Sequence, residues 1–342
     1  MVDETEAEKG EAMREIGGYF GLEAFEGSPY YLNAIALDKA RSCLLYIVKA
    51  RRYSRIYLPD YLCDCVAEVL TASGVAVSFY TIDRHLQPVF SQQLSAEEGL
   101  YLVNYYGQLS NRVIQEFQKK YKNIIVDNTQ AFFQPPVAGV DTFYTCRKFF
   151  GVPDGAYLFT NQRLTADLPI DSSRTRLGHL LGRFEDSAEN YYQEYQENED
   201  LLDNNPIMKM SQLTANLLRA VPYEAIKRQR TRNVTVLSRE LGEHNSLSYR
   251  KVEGAFAYPL LVDNGIKIRE ALAAKRIYLP TLWPNVIKSQ AKTSLAYQYA
   301  QNILPLPCDQ RYTQEDMIYL VEQLQPFLAK PAGEEKENEN YN

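Results

Sequence analysis

The sequence predicts an α/β fold: a mostly parallel central sheet flanked by helices, with a smaller α+β domain toward the C-terminal end. Short β-rich runs alternate with helical stretches between about residues 38 and 160. The run NIIVD (123–127) is continuously apolar up to its last residue, the pattern of a strand covered on both faces. After about residue 169 the texture becomes long, charged and helical, and near Tyr249 it returns to strand–helix alternation.

Asp38 stands ahead of the helical segment DKARSCLLYIVKARR and is a candidate cap for it. RIYL (55–58) reads as a strand, DYLCDCVAEVLTAS (60–73) as a helix, and VAVSFY (75–80) and GLYLVNYY (99–106) as strands. SNRVIQEFQKKY (110–121) puts Val113, Ile114 and Phe117 on one side and charge on the other, the helical period. NIIVD follows, then the strands DTFYT (141–145) and GAYLFT (155–160). Strands separated by helices are joined by crossovers and run parallel, and ligands of such sheets bind beyond the carboxyl ends of the strands. Residues 13–245 are therefore expected to form the large domain, with a helical connecting section from about 170. Residues 246–330 form the small one through FAYPLLVD, GIKIREALAAKR and YTQEDMIYLVEQLQPFL. The polar ends, 1–12 and 331–342, are expected to be disordered.

Composition removes several classes of function. With 342 residues, 45% of them hydrophobic, the chain has ample material for a folded core. A net charge of −6 without a basic stripe sets nucleic acid aside as a partner. No run approaches the roughly 20 apolar residues of a membrane span, and the acidic first residues lack a secretory pattern. The five cysteines are odd in number and scattered, which argues against a disulfide framework and for the cytoplasm. His85, His179 and His244 lie apart from other ligand types, and Cys63-Asp64-Cys65 has no second half, so no metal site is expected. Neither a nucleophile elbow nor a Walker-type loop occurs. KRQRTR (227–232) reads as a solvated helix face, and the 26 tyrosines as occupants of amphipathic helix faces. NYYQEYQ (190–196) could instead line a polar pocket or an interface.

Three elements can carry chemistry. Asp127 ends a buried strand, where a carboxylate is costly unless paired; a turn or cap role is the plain alternative. Lys148 lies in a loop just past another strand, where partial burial would free its amine for a Schiff base. Ala40-Arg41-Ser42, at the start of the first helix, could hold a phosphate through backbone N–H groups, a guanidinium and a hydroxyl. Together they suit a cofactor with an aldehyde, a pyridine nitrogen and a phosphate, which is pyridoxal 5′-phosphate (PLP).

The order of these segments resembles the DegT/DnrJ/StrS-type sugar aminotransferases, PLP-dependent enzymes of fold type I. IGGYFGLE, LDKARSCLLYIV, IYLPDYLCDCVAEVL, LVNYYGQ, VDNTQAFF, FYTCRKFFGVPDGAYLFT and YPLLVDNGIKIREALAAKRIYLPTLWP fall in the family's sequence, well over about 16–160 and loosely over 249–325. The resemblance implies that Lys148 is the Schiff-base lysine and the acid/base of the proton shift, and that Asp127 keeps the pyridine nitrogen protonated. It implies that Gln130 touches the phenolic oxygen, that Cys63 faces the ring, and that Arg41, Ser42 and Thr145 hold the phosphate. Ala40, Thr129 and Ala156 stand where the family usually has Gly, Ala and Gly. The expected activity is transfer of an amino group from glutamate to a nucleotide-linked keto-sugar, in a homodimer whose sites lie at the subunit interface. A non-catalytic descendant serving as a binding module is the alternative; a dehydratase relative would carry His in place of Lys148.

Overall fold

The computed structural model describes residues 16–328, so the ends expected to be disordered lie outside the described residues. Its strands are β1 (Ile35–Leu37), β2 (Arg55–Pro59), β3 (Ala76–Ile82), β4 (Pro88–Val89), β5 (Glu98–Val103), β6 (Ile124–Asp127), β7 (Asp141–Thr145), β8 (Ala156–Phe159), β9 (Ala257–Leu261) and β10 (Ile303–Pro307). The helices are α1 (Ala40–Arg51), α2 (Asp64–Ala72), α3 (Asn111–Lys120), α4 (Gly178–Glu185), α5 (Tyr192–Asn204), α6 (Gln212–Arg219) and α7 (Tyr223–Leu241). In the C-terminal part they are α8 (Gly265–Ala273), α9 (Pro284–Ser289), α10 (Leu295–Asn302) and α11 (Gln314–Leu328).

The main sheet has eight strands in the order β1-β8-β7-β6-β5-β2-β3-β4. Its centre, from β7 through β6, β5 and β2 to β3, is parallel. The outer pairs β1–β8, β8–β7 and β3–β4 are antiparallel. β6 is buried at all four positions, as its apolar run requires, so both of its faces are covered. Asp127 lies at its carboxyl end, in register with Val103 on one side and Phe143 on the other. A separate two-stranded sheet, β9–β10, supports the C-terminal part. A second apolar cluster there joins Leu260, Leu272, Leu304 and Leu320 to Val234 and Leu237 of α7.

Several expectations are corrected. Asp38 does not cap α1: Lys39 is the N-cap residue and makes no side-chain cap bond. Asp38 is fully buried and accepts instead from Lys39 Nζ at 3.1 Å. A buried carboxylate needs a cation more than a helix end needs a cap. α2 starts only at Asp64, because Cys63 is extended (φ −63°, ψ 135°). The tail of GLYLVNYY leaves the sheet after Val103 in a short turn that places Tyr106 at φ 52°. The tyrosines are mainly core residues: Tyr61, Tyr101, Tyr105, Tyr106 and Tyr144 are almost completely buried. The basic run on α7 is not wholly solvated either, since Arg230 is only 2% exposed.

Candidate active site

The carboxyl ends of β6 and β7 bring Asp127 and Lys148 together. Asp127 is buried, and each of its oxygens takes a donor: Tyr101 O–H at 2.6 Å on Oδ2, and the Thr129 backbone N–H at 2.8 Å on Oδ1. The Thr129 hydroxyl in turn accepts from Lys148 Nζ at 3.2 Å, so one threonine links carboxylate and amine. The ring of Phe256, just ahead of β9, lies 5.9 Å from the same nitrogen. The Lys148 side chain is open to solvent, yet protein mass surrounds it on the other sides. Desolvation lowers its amine's pKa, and neighbouring Asp127 only partly offsets the shift.

The loop carrying Lys148 is held from behind. Phe149 and Phe150 N–H groups both bond the Cys146 carbonyl, and Cys146 N–H bonds Gly155 O. Gly155 has φ +115°, a conformation that favours glycine. A Cβ there would also stand 3.0 Å from the Thr214 methyl. Asp154 anchors the loop to α6 by accepting from the Ser211 N–H (2.8 Å), the Ser211 hydroxyl (2.7 Å) and the Thr214 hydroxyl. Ser211 itself caps α6.

The other sequence-derived residues divide. Gln130 is buried and accepts from the Tyr106 N–H at 2.9 Å, which leaves its NH₂ end as the donor a phenolic oxygen needs. It borders a cleft of about 270 Å³ shared with Phe133, Arg250 and Lys251. Thr145 closes β7 and is buried. Cys63 caps the first turn of α2 and is half-buried, its sulfur 2.9 Å from that of Cys65. Arg41 reaches the Cys65 sulfur, but its guanidinium also pairs with Asp203 of α5. Ser42 is fully buried and its hydroxyl has no hydrogen-bond partner among the described residues, so the structure does not bring it to the surface.

Sequence reasoning missed several neighbours. Tyr101 is two residues before Val103, the register partner of Asp127, and so lies on the same sheet face, diagonal to it. That relation can be read from GLYLV and NIIVD once they are paired as parallel strands. Arg147 pairs with Glu199 of α5, and burial lowers its pKa, with Arg41 and Arg176 adding repulsion. No local pattern announces these partners from α5, because they are more than fifty residues away in sequence.

The eight-stranded sheet, the lysine loop beyond its carboxyl edge and the two-stranded C-terminal unit are the architecture of PLP-dependent fold type I aminotransferases. No family model matches the sequence, and no curated protein does. Solved structures do match. NtdA from Bacillus subtilis, solved with bound cofactor PMP, superposes with a TM-score of 0.62 at 15% identity, over 88% of this chain and 74% of that one. A DegT/DnrJ/EryC1/StrS aminotransferase from Brucella abortus gives 0.58 at 15%, over 87% and 86%. DesI, solved in the presence of its TDP-sugar product, gives 0.60 at 14%, over 86% and 80%. The likeness establishes a fold shared with these proteins.

Proposed function

We propose that the chain is a PLP-dependent aminotransferase that moves an amino group from glutamate to a nucleotide-linked keto-sugar, in polysaccharide or secondary-metabolite sugar biosynthesis. One observation carries the reading: a lysine amine with a lowered pKa bonds the hydroxyl of Thr129, whose backbone N–H bonds a buried carboxylate, at the carboxyl edge of a type I sheet. The substrate class is supported by the neighbours, one of which was solved with a TDP-sugar product.

The residues present fit the cofactor at its ring end. Asp127 holds two donors and keeps lone pairs free for a pyridinium N–H. Tyr101 and the Thr129 N–H fix the carboxylate so that it need not reorganise. When bound, PLP supplies an electron sink for the carbon that carries the amino group. Lys148 Nζ supplies the attacking amine and shuttles the proton at that carbon, and its lowered pKa keeps more of it unprotonated at neutral pH. The Gln130 amide donates to the phenolic oxygen, Cys63 borders the ring, and Arg41 with Thr145 holds the phosphate. At the phosphate end the fit requires Arg41 to exchange Asp203 for the ligand.

A homodimer and a cytoplasmic location complete the proposal. Ile16, Tyr19 and Phe20 in the N-terminal segment and Phe184 on α4 are each almost nine-tenths exposed or more, apolar side chains of the kind a second subunit covers. All five cysteines are unbridged, as a reducing compartment favours. The binding-module alternative draws on the burial of Ser42 and the carboxylate already on Arg41.

Absorbance decides between the two. Purified protein with PLP is expected to develop a visible band that Lys148→Ala lacks and that glutamate bleaches, and the same preparation should sediment as a dimer. A wild-type chain with no band at saturating PLP sinks the aminotransferase reading in favour of the binding module.

A further inference from the structure

Cys63 and Cys65 flank Asp64 at the N-terminal end of α2, and their sulfurs are 2.9 Å apart. A disulfide needs about 2.05 Å between sulfurs, so closing one requires a movement of about 0.9 Å from the present 2.9 Å. Both side chains are half-buried and reachable, whereas Cys43, Cys146 and Cys308 are completely buried. Arg41 and Lys148 both stand within Coulombic reach of the Cys65 sulfur. The pair is asymmetric. The Cys63 S–H, first, and then Arg41 and Lys148 lower the Cys65 thiol's pKa to about 6 against its burial, while Cys63 is pushed up. Within the pair Cys65 is the more readily ionised thiol, and the first turn of a helix adds its own stabilisation of a thiolate.

We propose that Cys63 and Cys65 are a reversible dithiol–disulfide pair, oxidised by peroxide, whose closure frees Arg41 to bind an anion. The Cys65 thiolate attacks one oxygen of hydrogen peroxide and breaks the O–O bond, and the departing hydroxide takes a proton to become water. Cys65 is then a sulfenic acid. The Cys63 sulfur attacks the Cys65 sulfur, its proton leaves with the displaced hydroxide as a second water, and the S–S bond closes. Two thiols and one peroxide give one disulfide and two waters, with both electrons drawn from sulfur. A small dithiol reverses the reaction by exchange.

The consequence is electrostatic. In the reduced chain Arg41 answers two anions, the Asp203 carboxylate and the Cys65 thiolate. The disulfide is neutral, so oxidation removes one of these competitors and leaves only Asp203 for an incoming phosphate to displace. That this phosphate belongs to PLP rests on the proposed function; the thiol chemistry does not.

The test uses the full chain without added PLP. Both cysteines lie on the single tryptic peptide 56–84, which contains no other cysteine. Peroxide is expected to remove two hydrogens from that peptide and block its alkylation, dithiothreitol to restore it, and Cys65→Ser to abolish the loss. Inorganic phosphate, titrated by calorimetry, should bind the oxidised wild type several-fold more tightly than the reduced form, with no such difference in Cys65→Ser. If both cysteines alkylate as before after peroxide, the pair is not a redox site and the proposal is overturned. If the disulfide closes but phosphate binding is unchanged, or absent in both forms, the role of Arg41 is overturned. Failure of the PLP reading would be seen separately, as a reduced chain that gives no visible band with PLP.

Discussion

Lys148 carries a charge that its surroundings disfavour, and this makes its role measurable in stability as well as chemistry. Below its lowered pKa, folded and unfolded chains are both protonated and the folded state carries a constant penalty. Between that value and the ordinary lysine value of about 10.4, the unfolded chain still holds the proton that the folded chain has released. The unfolded state then binds more protons, so stability rises with pH across this window. Lys148→Met removes the penalised charge without emptying the space. The variant is expected to be more stable than wild type at neutral pH, with the gain fading as pH climbs toward about 10. Urea titrations of both proteins across that range check it, and a gain that grows with pH contradicts the account. The same variant should take no cofactor, the usual exchange of stability for function at a working site.

At the scale of elements, the Pro153-Asp154-Gly155 stretch acts as a peg. Asp154 is completely buried and accepts three hydrogen bonds from the first turn of α6, so the segment that presents Lys148 is locked to a helix sixty residues on. Asp154→Ala strands the Ser211 N–H and the Thr214 hydroxyl in the interior, while the Ser211 hydroxyl keeps Ser173 Oγ at 2.7 Å as a partner. A loss of about 2–3 kcal/mol in unfolding free energy is expected, with Asp154→Asn milder because an amide oxygen can still accept. Chemical denaturation of the two variants distinguishes this from a surface role, for which neither would matter. The strands were legible because β2, β6 and β8 carry the apolar signal of strands buried along their length, while β3, with Ala76, Phe79 and Thr81 exposed, shows itself by its β-branched and aromatic residues. β1 was not: Ile35–Leu37 is three residues long and acquires its identity by pairing with β8, far away in sequence. Asp127 and Lys148 could be picked out because strand ends and glycine-bearing loops are local features. Tyr101, the Cys63–Cys65 contact and the carboxylates of α5 depend on register and tertiary packing, which local periodicity does not encode.

On the scale of the whole molecule, the aromatic cluster around Phe149 and the C-terminal apolar cluster must keep a fixed relation for the site to persist, and Arg230 joins them. It projects from α7, and its guanidinium donates to Gln310 Oε1 at 2.7 Å, Ala255 O at 3.0 Å and Phe149 O at 3.2 Å. It also lies 4.6 Å over the Phe149 ring. Phe149 is the neighbour of Lys148, while Ala255 and Gln310 belong to the C-terminal part, so one planar fork ties the lysine loop to the second cluster. Desolvation lowers its pKa, and its neighbours repay that cost only while every N–H finds an acceptor. A lysine cannot reproduce the fork, since its three donors radiate from a single nitrogen. Arg230→Lys and Arg230→Met should therefore both lose stability, by roughly 2–4 kcal/mol, and both should weaken the Lys148-dependent absorption band under conditions where the chain is still folded. Circular dichroism in urea measures the first effect and a PLP titration the second. A variant that unfolds early yet binds PLP as tightly as wild type would show that Arg230 supports the fold without positioning the lysine loop.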